Sequence, residues 1–135
     1  MSDIDVVREI YEAMAIRDVD RLLVLLDPQL VLTQDSAIPW GGHYVGHEGF
    51  ATFALTLTST IDSAVSTDAM FEADGEVIQV GRTRGHVRET GVPFDVAEVH
   101  RWTIRDGRAT RAHFSIDVPA MLERLGSDHD PVDGT

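Results

Sequence analysis

The stretch Phe94-Asp95-Val96-Ala97-Glu98-Val99-His100-Arg101-Trp102-Thr103-Ile104 alternates apolar with polar side chains along almost its whole length. A β-strand turns successive side chains to opposite faces, so this alternation assigns every residue to one side of a sheet. Phe94, Val96, Glu98, His100, Trp102 and Ile104 share one face, and Asp95, Ala97, Val99, Arg101 and Thr103 share the other. The first face is the apolar one, so a carboxyl and an imidazole lie among large hydrophobic neighbours. Burial drives a carboxylate toward its neutral acid and an imidazole toward its neutral base, while each charged form favours the other. Such a pair is suited to proton transfer. The spacing is equally compatible with a structural ion pair, between the two or with arginines of adjacent strands.

The same period extends to both sides of this strand. Ala64 to Ala73, Glu76 to Arg88 and Ala109 to Ile116 read as further strands, with turns at Asp74-Gly75, Thr90-Gly91 and Asp106-Gly107. Together they predict an antiparallel meander. Upstream the period changes. Val6, Val7, Ile10, Tyr11 and Met14 recur at helical spacing, and Asp18 opens a second helix carrying Leu22, Leu23, Leu25 and Leu26 that Asp27-Pro28 stops. These two form an α-hairpin. Leu30 to Thr33 reads as a short strand, Ser36 to Gly49 as an irregular segment, and Phe50, Phe53, Ala54 and Leu57 as a third helix from about 48 to 61. Asp117 caps a last helix with Met121, Leu122 and Leu125, ended by Gly126. The predicted fold is α+β: a curved antiparallel sheet wrapped by an N-terminal α-hairpin and a third helix, a cone that leaves a cavity between its layers. Residues 1–126 are expected to form one domain, with 127–135 as a flexible tail.

Composition narrows the chemistry. Of 135 residues, 23 are acidic and 11 basic, a formal net charge of −12 that repels phosphate backbones and anionic membranes. No nucleic-acid or membrane partner is expected. Cysteine is absent, which removes disulfides and thiolate chemistry, and every basic residue is Arg, which removes lysine Schiff bases. With no apolar run near the ~20 residues that span a bilayer, the chain reads as cytoplasmic and complete.

Other candidate residues lie on the irregular segment and the strand before it. Gln34 and Asp35 project toward the cavity mouth, unless Asp35 caps a turn. Trp40, His43, Tyr44 and His47 lie on a loop of the kind that carries binding groups. His43, His47 and Glu48 do not have the spacing of a zinc site, because Gly46 interrupts the helix and no third ligand is implied. On the last strand Phe114 faces the core and His113 faces outward, toward solvent or an interface. Arg82, Arg84 and Arg88 form a solvated or interface face. Tyr11 is a core residue whose hydroxyl can donate a hydrogen bond if it meets a cavity.

The run Ile38-Pro39-Trp40-Gly41-Gly42-His43-Tyr44-Val45-Gly46-His47-Glu48-Gly49-Phe50 follows a Leu-rich α-hairpin and precedes Trp102-Thr103-Ile104-Arg105-Asp106-Gly107-Arg108. In this it resembles SnoaL-like polyketide cyclases and ketosteroid-isomerase-related proteins of the nuclear transport factor 2-like superfamily. The resemblance covers the chain from about Ile4 to about Gly126. It implies a cone-shaped, cystatin-like α+β barrel, no metal, no organic cofactor, and often a homodimer built across the outer face of the sheet. In this likeness His100 stands where ketosteroid isomerases carry the acid that donates to an oxyanion, and where limonene epoxide hydrolases carry a catalytic carboxylate. Gln34 or Asp35 lies near the isomerase's general base. Ile10 rather than Tyr11 matches the isomerase's helix tyrosine, and Phe114 fills the place of a catalytic Asp, so neither activity transfers directly.

Two functions are expected from these readings. The first is a cofactor-independent isomerase, cyclase or hydratase acting on a hydrophobic carbonyl compound, with His100, Glu98 and Asp35 catalytic and Gln34, Trp40, Tyr44, Trp102, Phe114 and Phe53 lining the pocket. The second is a non-catalytic module of the same fold that binds a small ligand or dimerises.

Overall fold

The computed structural model describes residues 1–126. The chain runs α1 (Asp3–Ile16), α2 (Val19–Leu25), β1 (Leu26–Gln34), β2 (Gly42–Val45), α3 (Gly46–Thr60), β3 (Ile61–Ala73), β4 (Glu76–Val87), β5 (Pro93–Arg105), β6 (Arg108–Ile116) and α4 (Val118–Leu125). The six strands form one curved, open sheet in the order β2-β1-β6-β5-β4-β3. The fold is α+β.

Local chemistry sets the helix boundaries. The Ser2 side chain accepts the Asp5 N–H while the Asp5 carboxylate accepts the Ser2 N–H, a capping box at the start of α1. Val6, Val7, Ile10 and Ala13 form the buried stripe of that helix, so α1 lies against the sheet. Asp18 accepts the Arg21 N–H and opens α2, and Asp117 accepts the Ala120 N–H and opens α4. Both caps fall where the sequence puts them.

Strand β5 sits inside the sheet between β4 and β6, and its residues from Phe94 to Trp102 alternate without a break between buried and exposed. Glycine allows a close approach at one edge of this meander. A Cβ at Gly81 would fall 2.0 Å from the Ser66 carbonyl oxygen, and one at Gly85 would fall 1.8 Å from that of Asp62. At these two positions β3 approaches β4 at a distance only Gly permits.

Three expectations are corrected. The sheet is mixed, not antiparallel throughout, and it does not close into a barrel: β1 pairs parallel with β6 while β2 occupies the other edge of β1. Ser36 to Gly49 is not wholly irregular, because Gly42–Val45 pairs with β1 and α3 begins at Gly46, whose φ of +74° is the left-handed turn glycine accepts. Asp27-Pro28 does not separate α2 from a short strand; β1 starts at Leu26, and the register shift between Leu26 and Val31 accommodates a proline that donates no ladder bond. Residues 127–135, expected as a tail, lie outside the described residues.

Candidate functional site

On the concave face the alternation of β5 brings Glu98 and His100 together. Both are buried, at 3% and 6% exposure, and His100 Nε2 lies 3.5 Å from Glu98 Oε1. The sheet register extends this into a row, with Gln79 of β4 opposite His100, Phe114 of β6 on its other side, and Gln34 of β1 beyond Phe114. Gly81 stands opposite Glu98, and the Gln79 amide occupies the space that a side chain at Gly81 would need.

A hydrogen-bonded chain reaches the pair from the helix layer. Trp102 Nε1–H donates to the Tyr11 hydroxyl at 3.0 Å, and that hydroxyl lies 2.6 Å from His100 Nδ1. The Tyr11 oxygen accepts from the indole, which leaves its own proton free for Nδ1, and in that arrangement Nδ1 accepts. Nε2 therefore carries the hydrogen of the neutral ring and directs it at Glu98. Phe114 packs on the imidazole with ring centroids 4.2 Å apart, and Tyr11 stacks on its other side at 5.9 Å. The orientation of His100 is fixed on three sides.

Burial dominates the electrostatics. It pushes Glu98 up to about 7, opposed only by the nearby Gln79 amide, and pushes His100 down to about 3. Burial also raises the Tyr11 hydroxyl, which stays protonated. Across the 3.5 Å contact an ionised Glu98 draws the proton affinity of His100 back up. The state favoured below neutral pH is the doubly neutral pair. Glu98 Oε2 and Gln79 Oε1 are buried and have no hydrogen-bond partner, whereas Gln79 Nε2 donates to Thr67 Oγ1 at 3.1 Å.

The remaining predicted residues divide. Phe53 packs at a tilt against Phe114 at 5.7 Å and edge-to-face against Tyr44 at 5.5 Å, which links the α3 layer to the imidazole. Tyr44 donates to the carbonyls of Trp40 and Gly41, and so pins the loop that precedes it. Trp40 is 2% exposed and belongs to the core, and Gln34 is buried. Asp35 is not part of the constellation. It is exposed and accepts the Ala37 N–H at 2.8 Å, closing its own turn. His47 Nε2 bonds the Leu26 carbonyl, His113 Nδ1 bonds Thr33 Oγ1, and no group of three metal-ligating residues occurs among the described residues.

Two participants were not assigned to the site in advance. Tyr11, placed in the core, supplies the bond that selects the His100 tautomer, while Ile10 is fully buried elsewhere in the core. Its signal was a hydroxyl on the inward stripe of α1. Gln79 was legible as the one amide on a strand face otherwise made of Val, Gly and Thr.

Two grooves open on the surface. One, of about 830 Å³, lies between Ile38, Pro39, Thr60 and Val87 on one side and Leu122 and Leu125 of α4 on the other. The second, of about 340 Å³, lies between Phe94, Asp95 and Val96 of β5 and Ala120, Glu123 and Arg124 of α4. Neither is lined by Glu98 or His100, and α4 stands between them.

The family model of the SnoaL-like domain matches residues 7–112. The chain belongs to the SnoaL-like family. Solved structures of the same fold include a nuclear transport factor 2-like protein of unknown function from Burkholderia pseudomallei, 25% identical, with 93% of this chain and 98% of that one covered and a TM-score of 0.84. TerC, co-crystallised with polyporic acid, is 24% identical, with coverage of 90% and 96% and a TM-score of 0.81. A protein of ketosteroid isomerase-like fold from Catenulispora acidiphila, in complex with trimethylamine, is 17% identical, with coverage of 93% and 97% and a TM-score of 0.77. No curated protein is matched. The SnoaL-like fold includes cyclases and isomerases. Among the described residues no helix is long and apolar enough to cross a membrane.

Proposed function

We propose that this SnoaL-like chain is a cofactor-independent acid–base enzyme that moves a proton on a hydrophobic carbonyl compound. Glu98 takes and returns the proton at Oε2, and His100 presents Nε2–H to the carbonyl oxygen as electron density builds there. The observation that carries this reading is the relay from Trp102 through Tyr11 to His100, ending at a buried carboxyl with one unpartnered oxygen and an affinity for protons raised to about 7. A base poised near the working pH combines a usable ionised fraction with real proton affinity. Phe53, Tyr44, Trp102 and Phe114 are the apolar walls, and Trp40 and Gln34 support them from the core. Relatives of the same fold were crystallised with small ligands, which is consistent with a small-molecule partner here. The test is deuterium incorporation from heavy water into a hydrophobic ketone, read by mass spectrometry. Exchange by the wild type and none by Glu98→Gln is the expected result; exchange undiminished in Glu98→Gln rejects the assignment.

A second reading, a binding module without turnover, is favoured by the enclosure of the pair, which neither surface groove reaches. Saturable ligand binding with no exchange at any ligand carbon selects it. For assembly the proposed partner is a second copy, docked on the outer sheet face where Phe71, Ile78, Val80 and Val99 lie between the Arg82–Asp95 and Arg101–Glu76 ion pairs. Light scattering that finds only a monomer removes that partner.

A further inference from the structure

Glu98 is a buried carboxyl with no cation beside it to stabilise its charged form. Burial raises its proton affinity, and the Gln79 amide is the one group that acts in the other direction. The titratable side chains that face it supply no charge. His100, its neighbour on β5, is neutral, and its Nε2 lies 3.5 Å from Oε1, longer than a good N–H···O bond. Tyr11 of α1 stays protonated and gives its hydrogen to His100 Nδ1. Across the ladders Glu98 meets Ile116 of β6 and Gly81 of β4, neither of which has a polar side chain. An anion in such surroundings needs a donor, because a buried carboxylate without one reverts to its neutral acid.

The strands around Gln79 aim its amide nitrogen at this point. A Cβ at Gly81 would lie 2.7 Å from Gln79 Nε2, so the nitrogen takes the space in front of Glu98 that any other residue at 81 would fill. Thr67 faces the same glycine from β3, and its Oγ1 accepts from Nε2 at 3.1 Å. That bond uses one hydrogen of the NH2 group and leaves the second for the carboxyl. A β-bulge at Asp68 directly follows Thr67, and bulges re-aim the side chains beside them. Gln79 is fully buried, and in this orientation its Oε1 has no partner. An apolar side chain would fill the same volume without that unsatisfied oxygen, so packing does not explain an amide here.

We propose that Gln79 is the positioning residue of the proton-accepting site: anchored by Thr67 and admitted by Gly81, its N–H holds Glu98 as a carboxylate that can act as a base. This rests on the reading of Glu98 as the group that takes the proton. The amide touches no reacting atom and acts through Glu98 alone. Its effect has a definite sign. Removing the donor disfavours the anion and raises the pH at which Glu98 ionises, whereas loosening the packing admits water and lowers that pH toward the ordinary 4.5.

The experiment follows the Glu98 carboxyl directly, without substrate. The full chain is labelled with carbon-13 at the glutamate carboxyls and titrated by NMR, with Glu98→Gln identifying the resonance. Wild type is expected to titrate at about 7. Gln79→Met, close in shape but without the donor, raises the midpoint by about one pH unit, and the rising limb of exchange activity moves with it. Thr67→Val, at an exposed position, keeps the amide but releases its anchor; it shifts the midpoint the same way by less and serves if Gln79→Met does not fold. A midpoint that is unchanged or lowered in the variants overturns the proposal. The outcomes separate it from the reading it rests on. A raised midpoint with exchange that persists in Glu98→Gln keeps the donor to Glu98 and rejects Glu98 as the base. Exchange abolished in Glu98→Gln, with a midpoint that Gln79→Met and Thr67→Val leave in place, does the reverse.

Discussion

Asp95 and Glu98 are two carboxylates on the same strand, and their environments pull them in opposite directions. Asp95 is on the outer face, where Arg82 Nε donates to it at 2.5 Å and Arg84 Nε at 3.0 Å, and these bonds hold it below the usual carboxylate range. Glu98 is on the inner face, facing a glycine and a neutral imidazole, and burial holds it above that range. The chemical group differs by one methylene. The parity of the strand therefore determines which carboxylate is a permanent anion and which can gain and lose a proton near neutral pH.

Exchanging the features that separate the two faces gives the largest effects first. Glu98→Gln keeps the shape but removes the proton carrier, and turnover measured by deuterium incorporation should fall by about two to four orders of magnitude. Tyr11→Phe deletes the hydroxyl that selects the Nε2–H tautomer. It should cost roughly tenfold in exchange rate and about 1–3 kcal/mol in denaturant-measured stability, since His100 Nδ1 and the Trp102 indole lose their partner.

The third prediction concerns pH. Above its ordinary value of 4.5 the Glu98 carboxyl ionises in the unfolded chain, while in the folded chain it keeps its proton until about 7. Unfolding releases a proton in this window, so the contribution of Glu98 to stability is full below 4.5 and is lost as pH rises through 7. His100 acts in the opposite sense: it is neutral in the fold and takes a proton on unfolding below 6.5, so its contribution is full above 6.5 and is lost as pH falls toward 3. The difference in stability between Glu98→Gln and wild type isolates the first group. It should move in favour of the variant between pH 4.5 and 7 by at most on the order of 3 kcal/mol, while exchange activity in wild type rises over the same interval. A flat difference means that Glu98 is not held neutral by its site. The smallest effect belongs to the outer face. Asp95→Asn should leave exchange activity unchanged, and any loss of thermal stability should disappear in high salt, which screens exposed pairs.

What could be read in advance follows the same division. The period of β5 assigned Glu98, His100, Trp102 and Asp95 to their faces because one buried face fixes register. Asp117 was legible as a cap because capping depends on the three residues that follow. Tyr11 was read as core because helical periodicity identifies a face but not how far a ring reaches across a layer boundary. Asp35 was left between the cavity mouth and a turn cap because adjacency to a strand end says nothing of direction, and its own turn claims the side chain. The strand at Gly42–Val45 was hidden between glycines, and its pairing depends on β1, which no local pattern reveals. The parallel contact of β1 with β6 is likewise a property of topology.

That last contact governs how the molecule must assemble. Val31 pairs with Arg111 and Gln34 with Phe114, so the middle of the sheet unites the first quarter of the chain with its final strand. Contacts so distant in sequence slow folding, because the intervening loop entropy is lost before they form. A chain still emerging from the ribosome thus lacks a partner for the inner edge of β1 until Arg108–Ile116 has been synthesised. Until then Leu30 and Leu32 form an unpaired edge, and this nascent intermediate is where aggregation would begin.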